Sequence, residues 1–273
     1  LFKCTILCGP NSKIFSMKTI SLANRTIKLY DSIDEMPIEN FQRYNKYVII
    51  DAGLGSDIDS VDEHIVQIAK LINAGDKKKA MQELQNMRQN LHMIVSSISP
   101  KYMAFAALIY SIDGKKIENQ SDTSLQELLS DLKELEHGSI LNILYELKKK
   151  LSTELETYFP DNFDSAKEKM IYEKIKQRTI LQLKGIIEDK DYAKDIADID
   201  MSLLKSYKPG SFSGKDSFEL KYNKQFESLC MLIGQKANLN AKQMTVLQFY
   251  TTVNNIKAQL EAEAKAYKRI NHK

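Results

Sequence analysis

AKQMTVLQFYTTVNNIKAQLEAEAKAYKRI, residues 241–270, decides the fold class. Val246, Phe249, Val253, Ile256, Leu260, Tyr267 and Ile270 recur at alternating steps of three and four, and Glu263 is the one break. Steps of three and four return side chains to one face of a 3.6-residue helix, so the stretch predicts one uninterrupted helix with an apolar seam. Such a seam must be covered, either by the chain's own helices or by a partner. With Val246 at heptad position a, the flanks carry Thr245, Tyr250, Thr252, Lys257, Gln259, Ala264 and Ala266. Complementary charges are missing there, so the coiled-coil signal is weak. Packing in cis and docking in trans both stay open. The predicted partner-binding set is Val246, Phe249, Val253, Ile256 and Leu260.

Working outward, residues 207–217 (YKPGSFSGKDS) hold the densest run of Pro, Gly and Ser and read as a linker. Residues 218–237 are helical, with 238–240 capping the final helix, so 218–273 is a C-terminal helical hairpin. Towards the N-terminus, residues 19–22 and 26–30 are β-rich around Asn24 and predict a small hairpin. A helix follows Pro37, with Phe41, Tyr44, Tyr47 and Val48 on one face and Gly53 placed to end it. A buried strand over 47–51 is the alternative. Helices are expected over 61–73, with Ile65, Ile68, Ala69 and Ile72 apolar, and over 77–98, with Ala80, Leu84, Met87, Leu91, Ile94 and Ile98 as its seam.

Residues 101–109 read as a short buried helix. Asp113-Gly114 marks a second hairpin between 110–112 and 116–118. Ser124 with Glu127 suggests a capping box for 125–135. Residues 140–159 carry the seam Ile140, Leu144, Leu147, Leu151 and Leu155 up to Pro160. Helices over 163–187 and 191–206 complete the middle. The expected fold is mainly α: a helical bundle with a small N-terminal β-hairpin and a C-terminal helical hairpin after a linker. The expected division is 1–16, 17–110, 111–206, 207–217 and 218–273. MKTISL from Met17 reads as a protein start, so residues 1–16 are expected to be a spurious or disordered leader; a genuine short segment is the alternative.

Composition narrows the function. Lys+Arg 39 against Asp+Glu 36 is too balanced to imply nucleic acid or an anionic membrane. Gly 10 and Pro 5 are few for a sandwich or barrel. Cys4, Cys8 and Cys230 are too sparse for a disulfide framework and fit a reducing cytoplasm. No apolar run reaches the roughly 18 residues of a membrane span.

Catalytic and metal patterns fail one by one. Asp57, Asp59, Asp62, Glu63 and His64 form an acidic cluster, but Val61 and Asp62 stand where a calcium loop needs an oxygen ligand and a glycine. A helix cap is the expected role. Gly53-Leu54-Gly55 lacks the third glycine of a dinucleotide loop. His64, His92, His137 and His272 are isolated in sequence. Cys230 sits among Leu229, Met231 and Leu232 and reads as a buried thiol. Lys77–Lys79 and Lys148–Lys150 are ordinary polar-face runs. No enzyme, cofactor or metal is expected, and nucleic acid is disfavoured.

Taken in order, MKTISL at 17–22, the hairpin, IKLYDSIDEMPIENF at 27–41 with YNKY at 44–47, and the detached C-terminal helices resemble bacteriophage tail assembly chaperones and uncharacterised proteins of gut phages. The resemblance covers about residues 17–110, and more loosely 218–270. It implies a non-enzymatic role in the host cytoplasm, in which apolar helix faces bind tail-tube and tape-measure proteins and keep them soluble. A self-associating structural or scaffold protein is the second expectation, and a helical nucleic-acid-binding protein the third.

Overall fold

The computed structural model describes residues 17–22, 25–96, 99–118, 121–131, 137–163, 166–206, 210–212 and 214–271. Expectations for 1–16, including Cys4 and Cys8, lie outside them. The fold is mainly α, as the scarcity of helix breakers predicts. Strands β1 (Lys18–Leu22), β2 (Arg25–Leu29), β3 (Ile109–Ile112) and β4 (Lys115–Lys116) accompany helices α1 (Ile38–Leu54), α2 (Ile58–Asn73), α3 (Lys77–Ser96) and α4 (Pro100–Ala107). The chain continues through α5 (Asp122–Asp131), α6 (His137–Tyr158), a short α7 (Pro160–Phe163), α8 (Ala166–Glu188) and α9 (Ala193–Ser206). α10 (Phe218–Ala237), a 3-10 turn (Ala241–Gln243) and α11 (Val246–Asn271) close it.

Both expected hairpins form, but as one sheet. β1 and β2 pair antiparallel, and β2 then pairs with β3, giving the order β1-β2-β3-β4. Asp113 and Gly114 both take positive φ, which makes the β3–β4 turn. The boundary expected between 110 and 111 therefore falls inside β3. Ile27 and Leu29 of β2 and Ile109 of β3 are buried, so one sheet face closes the core.

α1 and α4 form the centre. Ile38, Phe41, Tyr44, Tyr47, Ile50 and Leu54 of α1 are buried, as is α4 from Met103 to Ala107. Residues 47–51 are helical, which settles the alternative strand. α1 ends at Gly55, whose φ is 71°, rather than at Gly53. Gly53 remains inside the helix, and its missing side chain makes room for the Phe212 ring. Lys46 is buried, and its Nζ donates to Asp122 at 2.8 Å and Glu219 at 3.0 Å, joining α1 to α5 and α10. The α6 seam is as expected: Ile140, Leu144, Leu147, Leu151 and Leu155 are all buried. The cap of α5 is Ser121, whose Oγ accepts from Ser124 N at 3.2 Å, rather than a box of Ser124 with Glu127.

Residues 241–270 are not one helix. Asn238, left-handed, ends α10, and Asn240 caps only the 3-10 turn. Met244 is then extended, and Thr245 bridges to Pro37. Ile38 N donates to Met244 O, Val246 N to Met36 O and Leu247 N to Ile33 O. α11 starts at a capping box in which Thr245 Oγ1 accepts from Gln248 N and Gln248 Oε1 accepts from Thr245 N. This backbone stitch binds the C-terminal helices to the entrance of α1. Phe226 and Tyr250 then stack around Phe249, at 5.8 and 5.5 Å, and Phe41 meets Tyr250 at 6.2 Å.

Candidate functional site

The hairpin of α2 and α3 is inverted. Ile58, Ile65, Val66 and Ile72 of α2 face outward, as do Met81, Leu84, Leu91 and Val95 of α3. The seam expected for α3 thus splits. Ala80 is buried and Met87 and Ile94 are half-buried, but Leu84 and Leu91 are exposed, and Ile98 lies outside the described residues. The inward positions beside Ala80 are polar: Glu83, Asn86 and Asn90, at 3%, 2% and 0% exposure. On α2 the buried residues are His64 and Leu71.

His64 makes this inward polar face tenable. Its Nε2 donates to Leu54 O at 2.9 Å, and its Nδ1 lies 2.6 Å from Glu83 Oε1. Asn86 Nδ2 donates to Glu83 Oε2 at 3.2 Å. A carbonyl only accepts, so Nε2 carries a proton, and the contact of Nδ1 with a carboxyl oxygen holds a second one between the pair. The hydrogen bond to Glu83 raises the His64 pKa, with burial opposing it. Both ring nitrogens are engaged, so the imidazole offers no lone pair to a metal and no free base to a substrate. Asn90 is different: among the described residues its amide nitrogen and oxygen have no partner. Sequence spacing kept His64 isolated because Glu83 lies nineteen residues on; the 80, 83, 90 step of three and seven was the available signal.

A polar cavity of about 250 Å³ opens beside this cluster, lined by Asp51, Gly55, Ser60, Glu63, His64 and Glu83 among others. Asp51 accepts from Ser56 Oγ at 2.8 Å, and burial raises its pKa. Asp57 caps α2, as expected, accepting from Ser60 N at 3.0 Å. Hydrogen bonds from Ser60, with Lys101 Nζ at 3.1 Å, lower the Asp57 carboxyl to about 2. Among the described residues no three His, Cys, Asp or Glu side chains converge as a metal-ligand set. Cys230 is half-buried rather than buried, and burial raises its thiol pKa.

A larger groove, about 560 Å³, runs between α2 and the α8–α9 hairpin. Its walls include Lys70 from α2 and Ala74 just past its end, Ile171 and Ile175 from α8, and Met201 and Leu204 from α9. Arg178 Nε and a terminal nitrogen donate to the two Asp200 oxygens at 2.6 and 3.2 Å, fixing α8 against α9 beside it. Outside the groove α8 exposes Tyr172, Ile180, Leu183, Ile186 and Ile187.

The predicted partner-binding seam divides at Ile256. Val246, Phe249 and Ile256 are buried in the chain's own core at 0, 1 and 4% exposure, and Val253 is half-buried against it. Their apolar surface is already covered in cis, so of the five only Leu260 stands open. Beyond Ile256, residues 257–267 are exposed on every side.

The fold and this surface define a mainly α protein with a four-stranded antiparallel sheet, an inverted helical hairpin and an apolar groove. Comparison with protein-family models, curated proteins and solved structures finds no match to this chain. Among the described residues no helix is long and apolar enough to cross a membrane.

Proposed function

We propose that the protein is a non-enzymatic assembly factor of the tail-chaperone kind, acting in the host cytoplasm. It takes up apolar helical segments of tail proteins in the groove between α2 and α8–α9. The observation that carries this reading is the groove itself, where Ile171, Ile175, Met201, Leu203 and Leu204 line an open cleft next to further apolar residues of α8. Contiguous apolar surface of this kind is what partner docking uses, and helical anchors at i, i+3, i+4 and i+7 fit a cleft between helices. The neighbouring polar cluster supports the same reading, because its histidine is hydrogen-bonded on both sides rather than presented for catalysis.

The test is aggregation of a tape-measure protein fragment, followed by light scattering with and without this chain. Stoichiometric suppression is expected, and Ile175→Glu together with Met201→Glu should remove it while leaving the melting temperature unchanged. Suppression by the double variant equal to that of the unmodified chain, or no suppression at all, would overturn the proposal.

A further inference from the structure

Two exposed helical seams of this molecule each carry one charge, and the charges are opposite. On α3, Met81, Leu84, Arg88, Leu91 and Val95 follow steps of three, four, three and four, and all five are exposed. On α11, Leu260, Glu263 and Tyr267 continue the same steps past the core, and the sequence places Ile270 next. Leu260 and Tyr267 are 39% and 71% exposed. From Lys257 to its end α11 runs for roughly 22 Å at 1.5 Å per residue, and residues 257–267 are exposed, with no helix among the described residues covering them. Arg88 and Glu263 take part in no ion pair among the described residues.

Charge then selects the occupant. Pairing α11 with α11 of a second copy in parallel puts Glu263 against Glu263, and in antiparallel sets it against Tyr267 with no opposite charge on the seam. Pairing α3 with α3 likewise puts Arg88 against Arg88. Like charges facing one another across a helix seam disfavour pairing, and opposite ones favour it. Only the crossed arrangement satisfies both seams. We infer that a second copy of this chain docks the projecting end of α11 on the outer seam of α3, with Leu260 and Tyr267 packed among Leu84, Leu91 and Val95 and Glu263 paired with Arg88. Each copy has one such end and one such seam, and the inferred arrangement makes both contacts reciprocally about one two-fold axis, which closes a dimer and leaves no open repeat. The contact explains why α3 carries its apolar residues outward and its polar residues inward. It does not use the groove between α2 and α8–α9.

Sedimentation velocity on the full chain across a dilution series tests this. The unmodified protein is expected to be a reversible dimer. Arg88→Glu and Glu263→Arg, both at exposed positions, should each weaken dimerisation at least about tenfold. An equimolar mixture of the two variants should restore it, since both crossed contacts of the mixed dimer then pair opposite charges. A chain that stays monomeric throughout, a dimer indifferent to either reversal, or a mixture that stays monomeric would each overturn the inference. Ile175→Glu with Met201→Glu leaves this dimer intact, so failure of the groove reading and failure of this one are told apart.

Discussion

Glu83→Gln is the substitution through which the inverted hairpin is best examined. Glu83 and His64 are 3% and 6% exposed, and their contact is 2.6 Å. Removing one partner of a buried charged pair leaves the other uncompensated and costs about 3–5 kcal/mol. With a urea slope of about 3 kcal/mol/M for a chain this size, the midpoint of unfolding falls by about 1–1.7 M. The paired replacement His64→Leu with Glu83→Met removes both charges together and is expected to lie within about 1–2 kcal/mol of the unmodified protein. The pH dependence has a definite sign. The His64 pKa is raised in the folded state, chiefly by Glu83. Its contribution is therefore fully present below the unfolded histidine value of about 6.5 and is lost as pH rises through the folded value. Glu83→Gln removes the main cause of the shift, so its stability should vary less across that alkaline range. Urea unfolding from pH 6 to 9 reads all of this. A single substitution costing under about 1 kcal/mol, or a double variant whose cost is the sum of two large single costs, would refute the reasoning.

Phe249→Ala removes a ring at 1% exposure that meets Phe226 and Tyr250. It should cost about 3–5 kcal/mol in urea unfolding, whereas Leu260→Ala, on the projecting end, should cost under about 1 kcal/mol in the monomer. Gly53→Ala places a Cβ against the Phe212 ring. Because an alanine otherwise suits a helix interior, a lowered melting temperature together with faster proteolysis near residue 212 is expected, and a raised melting temperature would mean that the ring sits elsewhere.

Much of the fold was legible because local periodicity and burial agreed. The α6 seam is buried at every predicted position, and α4 is buried as its run of small and apolar residues requires. Asp113-Gly114 makes the predicted turn. Legibility failed where a distant residue overrode the local pattern. Leu84 and Leu91 read as core, yet Glu83 and Asn90 take the inward side, and for Glu83 the reason is His64 across from it on α2. The final helix breaks at Met244 and Thr245 because Pro37 and Met36 offer backbone partners there, and only the Thr245–Gln248 box marked it locally. The candidate groove was not legible at all, since α2, α8 and α9 meet only in three dimensions.

The seam from Val246 to Ile270 shows where the division falls. The sequence by itself determined that a long amphipathic helix exists there, because a period of 3.6 is a property of spacing alone. It could not determine what covers the seam, because apolar side chains bury equally well against any complementary surface. The tertiary structure decided that. Met36, Pro37 and Phe226 hold the first half in the core, through Val246 and Phe249, and past Ile256 none of the described residues covers the seam, which leaves Leu260, Glu263 and Tyr267 facing solvent.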